Sequence, residues 1–349
     1  MESSFPSSLP PFTRSPHSHL PLITAILPRR RKIAPPLSTI TAASCSSQAP
    51  LLSARTVSIS YSELKDKNAD LSSKIEEGFG VNGLGLLSIS DINLKHPSLQ
   101  IQYWMYLQLN HQIYNACSPC RYPSYCRANI WPRTALPELE IAFKALGKLI
   151  LNVGLLLAHH CDRYVSSRIT TNENKEILQT LLPSRCHKGR LLYYFPTQNS
   201  SSALDDGSVS SWSGWHTDYA SLTGLTCEMF TRDDVEIPCS DNAAGLYIMS
   251  RTGQVVKPEY GEDEIAYLVG ETGEILSRHL LCATPHCVRA PKGVEASSVG
   301  RSTYVLFMQP NWDEKFNFSE LAHIHEELRH SNHPLTYGEY SERLHDKHY

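Results

Sequence analysis

Residues 245–283 read GLYIMSRTGQVVKPEYGEDEIAYLVGETGEILSRHLLCA and carry the clearest structural signal in the chain. Short runs rich in Leu, Val, Tyr and Ile alternate here with Gly-containing turns at 251–253, 260–262 and 271–273. Short strands at such close spacing are typical of an all-β sandwich or barrel. The pattern predicts the following strands: 245–250, 254–257, 264–269 and 275–283.

Similar runs occur on both sides of this stretch, at 190–195, 220–229 and 302–309. Each is short, apolar and bounded by turn residues, so each predicts a further strand. Together with the first four, they indicate a mainly β core of the jelly-roll kind.

Helical signals flank this core. Between Pro137 and Tyr164, apolar residues recur every three or four positions, which predicts a long amphipathic helix. Residues 62–77 read as a short polar helix, and 81–89 as a turn followed by a strand. A last helix is expected at 319–329, capped by Ser319. The fold prediction is therefore mainly β with flanking helices.

The chain has 349 residues, of which 41% are hydrophobic and 19% charged, as in ordinary globular proteins. Residues 1–55 carry a net charge of +5 and the remainder −8. An acidic body without a basic stripe argues against nucleic-acid binding. The longest apolar stretch, 149–158, is half of the about 20 residues that a membrane span needs. We therefore expect a small-molecule or protein partner, while the oligomeric state stays open.

The first 55 residues have an unusual composition, with eleven Ser, nine Pro and a single acidic residue. A basic, Ser-rich and almost acid-free leader is typical of an organellar transit peptide, and it lacks the apolar run of a secretory signal. We expect a disordered leader that directs the protein to the plastid, with the mitochondrion as the second choice. A tail without an address, on a cytoplasmic protein, is the alternative.

Ten cysteines are spread along the chain, and three of them, Cys117, Cys120 and Cys126, form a C-x₂-C-x₅-C cluster. A zinc site here would need a fourth ligand such as His111. Because no second ligand pair follows, we interpret these cysteines as free thiols in a loop.

The sharpest chemical motif is Trp215-His216-Thr217-Asp218-Tyr219. In an extended segment residues i and i+2 point to the same side, so His216 and Asp218 can share a metal ion. A third ligand must come from another strand, and the candidates are His279 and His286. We favour His286, since His279 follows Arg278 in a segment that resembles a turn.

Two histidines and one carboxylate leave three adjacent positions of a metal open, as in non-haem Fe(II) oxygenases. Zinc accepts the same donors, so a zinc hydrolase stays an alternative. Arg301 and Thr303 open the strand 302–309 and share one of its sides. A guanidinium with a nearby hydroxyl suits a carboxylate. A 2-oxo dicarboxylate would then bind the metal at one end and Arg301 at the other.

The ordered set His216-x-Asp218, His286 and Arg301-x-Thr303 resembles the Fe(II)/2-oxoglutarate-dependent dioxygenases of the isopenicillin N synthase-like class, abundant in plants. Residues 190–196, RLLYYFP, are similar to the strand that ends in Asn-Tyr-Tyr-Pro in that family, and 335–340 are similar to its C-terminal segment. The resemblance covers roughly 76–92 and 122–348. It implies a double-stranded β-helix (jelly-roll) core.

The resemblance also implies roles for individual residues. His216, Asp218 and His286 would be the catalytic metal ligands for Fe(II), and Arg301 with Thr303 would bind the distal carboxylate of the co-substrate 2-oxoglutarate. Where relatives have a Tyr before the Pro, this chain has Phe195, so that hydrogen bond is absent or moves to Tyr193 or Tyr194. The implied reaction uses O₂, oxidises a small organic metabolite and releases succinate and CO₂.

The expected organisation is a leader (1–55), an N-terminal helical region (56–170), the jelly-roll core (171–315) and a C-terminal helix with a tail (316–349). Residues 98–119 do not resemble the longer segment that helps form the substrate pocket in relatives. An alternative function follows from this difference: a catalytically impaired protein that binds the metal and 2-oxoglutarate beside a truncated substrate pocket.

Overall fold

The computed structural model describes residues 52–92, 109–112, 129–169, 176–196, 211–233, 235–239, 241–292, 298–318 and 334–348. The strands are β1 (Ser53–Arg55), β2 (Val57–Ser60), β3 (Leu86–Ser90), β4 (Leu109–Gln112), β5 (Lys188–Tyr194), β6 (Ser211–His216), β7 (Leu222–Thr226), β8 (Met229–Arg232), β9 (Val235–Ile237), β10 (Gly245–Met249), β11 (Val255–Glu259), β12 (Ile265–Val269), β13 (His286–Arg289), β14 (Gly300–Met308), β15 (Lys315–Phe316) and β16 (Leu335–Thr336). The helices are α1 (Tyr61–Lys65), α2 (Ser72–Phe79), α3 (Leu139–Ser166), α4 (Ile177–Leu181), α5 (Glu271–Leu276) and α6 (Tyr337–His348).

Two sheets form the core. The smaller has the strand order β1-β11-β10-β13-β6, and the larger has β2-β3-β12-β7-β14-β5-β4, with β8 and β9 attached through β14. Buried apolar side chains from both sheets, among them Ile248 and Val288 of one and Leu268 and Val305 of the other, form a single cluster. This arrangement confirms the predicted mainly β, jelly-roll core with flanking helices.

Strand β14 shows how the larger sheet separates two cores. Tyr304, Leu306 and Met308 pack into the helix-covered cluster on one face of the sheet. Val305 and Phe307 belong to the cluster between the sheets on the other face. This alternation follows from the period of two in an extended chain, and it directs the odd-numbered residues of β14 into the barrel.

A one-residue bulge interrupts the strand beside β14. Arg301 lies opposite Phe230 of β8, whereas Val305 lies opposite Leu225 of β7. Four steps along β14 therefore match five steps along its neighbour, which places an extra residue between Thr226 and Met229. The predicted single strand at 220–229 is corrected to two strands, because the bulge breaks the ladder.

Helix α3 covers the outer face of the larger sheet. Its length and composition would allow it to cross a membrane. In the structure its apolar side chains, such as Phe143, Ile150 and Leu157, pack into the core cluster. Two tyrosines of the sheet donate hydrogen bonds to its backbone, Tyr267 to the carbonyl of Ile150 (2.6 Å) and Tyr304 to that of Phe143 (3.2 Å). The helix is thus a core helix in this fold.

A buried carboxylate joins α3 to α4. Asp162, on α3, accepts hydrogen bonds from the backbone N–H groups of Ile177 and Leu178, both at 2.8 Å. These groups begin α4 and have no partner within that helix, so Asp162 acts as its cap. Burial raises the pKa of Asp162 to about 7, although the two backbone hydrogen bonds act in the opposite direction.

Several sequence predictions are confirmed by these elements, namely the long helix from Pro137 and the strands near 81–89, 190–195, 245–250, 254–257, 264–269 and 302–309. The predicted helix at 62–77 is wrong as one element. A capping box at Ser60 starts α1, and the extended backbone of Asp66 ends it before α2 begins.

The predicted strand at 275–283 is also wrong, since the chain forms α5 there and then a turn. Arg278 and His279 both have positive φ, at 50° and 63°, which stops the helix. The short apolar run at 275–281 fits either period, so its pattern did not separate a helix from a strand.

Three further predictions concern the leader, the last helix and the cysteine cluster. Residues 53–55, the end of the predicted leader, form β1 and pair in parallel with β11, so the folded part includes Ser53. The predicted helix at 319–329 and the cysteine cluster at 117–126 lie outside the described residues.

Candidate functional site

The ends of two neighbouring strands bring the candidate metal ligands together. His216 is the last residue of β6, and His286 is the first of β13, directly opposite it in the antiparallel pair. Asp218 follows in the loop that leads to β7, rather than within a strand. Its Oδ1 lies 3.9 Å from the Nε2 atom of each histidine. One donor atom from each residue therefore falls within 4.8 Å of the others, a spacing that fits one shared metal ion.

The backbone orients both imidazoles. The Nδ1 atom of His216 lies 2.8 Å from the carbonyl of Gly214, and that of His286 lies 2.9 Å from the carbonyl of Thr284. A carbonyl only accepts, so each Nδ1 carries the proton and each Nε2 keeps its lone pair toward the centre. This tautomer is the one that metal ligation through Nε2 requires.

Burial also prepares the site for a cation. His286 is buried, and burial lowers its pKa while the carboxylate of Asp218 acts in the opposite direction. The imidazole is therefore neutral near pH 7. Oδ2 of Asp218 is buried without a hydrogen-bond partner among the described residues. A buried carboxylate oxygen without a partner is costly unless it binds a cation. Two imidazoles with a carboxylate suit Fe(II) or Zn(II).

Behind the ligands lies a second buried carboxylate, that of Glu271 in the first turn of α5. It accepts a hydrogen bond from the hydroxyl of Thr217, the residue between the two ligands of the motif, and another from Tyr340 of α6. The backbone N–H of Glu271 also donates to the carbonyl of Asp218 at 2.8 Å. Glu271 thereby fixes the loop that carries Asp218.

The guanidinium of Arg301 lies inside the barrel, 3% exposed. Its Nε donates to Oε2 of Glu228 at 2.7 Å, and its Cζ lies 5.2 Å from the ring centre of Tyr194. Its Nη1 is buried and has no hydrogen-bond partner in the described part of the chain. Burial acts to lower the pKa of Arg301, but Glu228 and the Tyr194 phenol outweigh it and raise the pKa overall. Arg301 is therefore permanently charged, and its Nη1 group is available to donate to a ligand.

Two further residues predicted at this site lie beside Arg301. Tyr194 is its direct partner across the β5–β14 ladder, and Thr303 follows on the same face of β14. The hydroxyl of Thr303 donates to the backbone carbonyl of Thr226 at 3.1 Å. Burial raises the pKa of Tyr194, which keeps its phenol protonated and able to donate. Tyr193 lies opposite Ser302, on the other face of the sheet, so Tyr194 is the tyrosine that faces Arg301, and Phe195 is 59% exposed.

Other candidates take different places. His279 lies in the turn after α5, where its Nδ1 is 2.9 Å from the carboxylate of Glu274, so it is not part of the three-residue cluster. His160, on α3, is buried, with its Nε2 atom 3.1 Å from the carbonyl of Leu64. Trp212 packs inside the barrel mouth and donates to the carbonyl of Phe195, while Trp215 is 42% exposed.

Glu228 and Glu271 are two residues of the site that the sequence does not predict. Neither stands in a recognisable motif, since Glu271 was interpreted as part of a turn and Glu228 as the end of a strand. The only available signal was chemical: a buried arginine and a helix start both favour an acidic partner.

Solved structures that share this fold include oxygenases. A full-length Neurospora crassa protein in complex with alpha-KG and 5-formyluracil aligns with a TM-score of 0.52 and 17% identity, over 81% of this chain and 93% of that one. A 2OG-Fe(II) oxygenase family protein from Caulobacter crescentus gives 0.51 and 16%, over 83% and 98%. The dioxygenase for auxin oxidation of rice gives 0.51 and 14%, over 83% and 95%. No family model and no curated protein matches the sequence. The TM-scores show a shared fold at these low identities.

Proposed function

We propose that this chain is a non-haem Fe(II)- and 2-oxoglutarate-dependent oxygenase that oxidises a small organic metabolite. The observation that carries the proposal is the pairing of two incomplete polar sites in one barrel. One is a three-donor cluster with an orphan carboxylate oxygen, and the other is a buried arginine with an unpartnered donor among the described residues. A metal ion and a dicarboxylate complete them together.

In this proposal, His216, Asp218 and His286 hold Fe(II) from one side, which leaves the other side open to ligands. When bound, ferrous iron supplies the redox chemistry that consumes O₂ and converts 2-oxoglutarate to succinate and CO₂. The protein's part is to present three donors in a fixed geometry, with their tautomers set by Gly214 and Thr284.

Arg301 binds the distal carboxylate of 2-oxoglutarate through Nη1. Tyr194 adds its protonated hydroxyl from the neighbouring strand, and Thr303 lines the same wall. The apolar cluster between the sheets, with Leu225, Val305 and their neighbours, keeps bulk water from the bound acid and so strengthens these contacts.

The proposed substrate is a small organic metabolite, in keeping with the ligands of proteins that share the fold. Structures with this fold include the Neurospora crassa protein in complex with thymine and the rice dioxygenase for auxin oxidation, and thymine and auxin are both small ring compounds.

We place the chain in the plant isopenicillin N synthase-like class on the order of its motifs, and in the plastid on the composition of residues 1–55. A fluorescent protein fused to the C-terminus tests that location, and a diffuse cytoplasmic signal would contradict it.

The function is tested with the full chain under anaerobic conditions. Fe(II) followed by 2-oxoglutarate should produce a weak visible charge-transfer band, and addition of O₂ should release succinate. A screen of hormone, flavonoid, alkaloid and pyrimidine compounds then seeks a metabolite that increases succinate release. A charge-transfer band without succinate release under any condition would favour the alternative function, a catalytically impaired protein that binds the metal and 2-oxoglutarate. Zinc as the metal in protein purified without oxygen would favour a hydrolase.

A further inference from the structure

Glu228 pairs with Arg301, the residue whose guanidinium binds the co-substrate in the proposed function. Glu228 Oε2 lies 2.7 Å from Nε of Arg301, and the two side chains are 17% and 3% exposed. A buried ion pair of this kind has no net charge, and the arginine of a carboxylate site would bind an anion more strongly without it. The pair therefore needs an explanation beyond charge balance.

The backbone is shaped to place this carboxylate. Leu225 faces the barrel opposite Val305, so in a regular strand Cys227 would follow it inward and Glu228 would point outward. The bulge between Thr226 and Met229 reverses this order and turns Glu228 to the side of Arg301.

A glycine makes room for it on the other sheet. Gly245 has a φ of +117°, and a Cβ atom there would lie 2.3 Å from Oε1 of Glu228. Any larger residue would displace the carboxylate and would also be strained. The bulge and Gly245 are thus two independent features that accommodate Glu228 in one position.

This placement determines which donors of Arg301 are left. With Nε bound to Glu228, the guanidinium is fixed in its plane, and Nη1 stays buried and unpartnered among the described residues. The hydroxyl of Thr303 donates its single proton to the carbonyl of Thr226, so it has no proton left for an incoming carboxylate. An incoming carboxylate therefore meets one pre-oriented edge of the Arg301 guanidinium, the edge that carries Nη1.

We propose that Glu228 is a positioning residue that fixes Arg301 by its Nε edge and moderates its affinity for the distal carboxylate of 2-oxoglutarate. This inference rests on the proposed function. Its consequence is a co-substrate site that trades binding strength for a defined orientation, because part of the positive charge is compensated before the ligand arrives.

The test compares 2-oxoglutarate binding by the Fe(II)-loaded full chain and its variants without oxygen, from the charge-transfer band and from calorimetry. Glu228→Gln keeps an acceptor for Nε but removes the charge, so we expect about tenfold tighter binding. Glu228→Ala also removes the acceptor and frees the guanidinium, so we expect binding about tenfold weaker than in the Gln variant.

Two controls isolate the effect. Glu262→Gln removes an exposed charge that acts on Cys227, the residue before Glu228, and should leave the affinity unchanged. Binding of 2-oxobutyrate, which lacks the distal carboxylate, should not respond to Glu228→Gln. Equal affinities of the wild type and the Gln variant, or of the Gln and Ala variants, would overturn the inference. A wild type that does not bind 2-oxoglutarate would instead refute the proposed function.

Discussion

The hydroxyl of Tyr340 donates a hydrogen bond to the buried carboxylate of Glu271, and so connects the C-terminal helix to the loop that carries Asp218. Both side chains are fully buried. We expect Tyr340→Phe to lower the free energy of unfolding by about 2 kcal/mol, since it leaves a buried carboxylate short of a donor. Urea denaturation measures this change.

A matched control for that variant is Tyr247→Phe. The hydroxyl of Tyr247 donates to the carbonyl of Ala243 at 2.7 Å, an uncharged acceptor. Its loss should cost about 1 kcal/mol, because hydrogen bonds to neutral groups contribute less. Equal effects of the two variants would show that the charge on Glu271 does not contribute.

Thr217 lies between two proposed ligands and donates to Glu271. Replacing it with Val keeps its shape and removes the hydroxyl, so the loop loses its orientation. We expect Fe(II) affinity to fall about tenfold, as for other residues that support metal ligands. Thr217→Ser keeps the hydroxyl and should restore the affinity in equilibrium dialysis, whereas weak binding by both variants would point to packing instead.

Removal of His286 should abolish metal binding. With His286→Ala, only one imidazole and one carboxylate remain, which is too few donors for a stable site of this kind. The matched control is His279→Ala, since His279 lies in the same region but pairs with Glu274. Metal content after anaerobic loading measures both. A full complement of iron in His286→Ala would exclude the proposed ligand set.

Arg301→Ala should separate the two halves of the site. The guanidinium is the charged donor for the co-substrate but lies outside the three-donor cluster. We expect at least a hundredfold loss of 2-oxoglutarate affinity, the scale of a lost charge-assisted hydrogen bond, with Fe(II) affinity nearly unchanged. Calorimetric titration of each ligand in turn checks the prediction, and a parallel loss of iron would argue for a general collapse.

Asp162 should make stability depend on pH. Its folded pKa of about 7 lies above the ordinary value of 3.8, so its stabilising contribution is full below about pH 4 and is lost as the pH rises through 7. Between pH 5 and 8, the wild type should therefore lose about 3 kcal/mol of unfolding free energy relative to Asp162→Asn. Parallel stability curves for the two proteins would contradict the raised pKa.

The sequence allowed much of the fold and the outline of the site to be predicted, for identifiable reasons. The strands of the core are short apolar runs between Gly-containing turns, and the motif at His216 and Asp218 has a spacing that an extended chain places on one side. The cross-strand position of His286 could only be inferred as one of two choices, because strand pairing is not local information.

What could not be predicted depends on strand register, on ambiguous periodicity and on tertiary contact. Glu228 faces Arg301 because one extra residue shifts the ladder, and no local pattern marks that residue. The helix at 271–276 was missed because its short apolar run fits a strand equally well, and with it the role of Glu271. His160 is buried because α1 packs over it, which depends on tertiary contact rather than on helix periodicity.

The pairing of His216 with His286 has a consequence for assembly. The two residues are roughly 70 positions apart, and they meet only after β6 and β13 have joined, so an unfolded chain offers the ion no comparable cage. An ion held there acts as a reversible cross-link of the finished barrel, and resistance to heat should rise with the logarithm of free metal concentration.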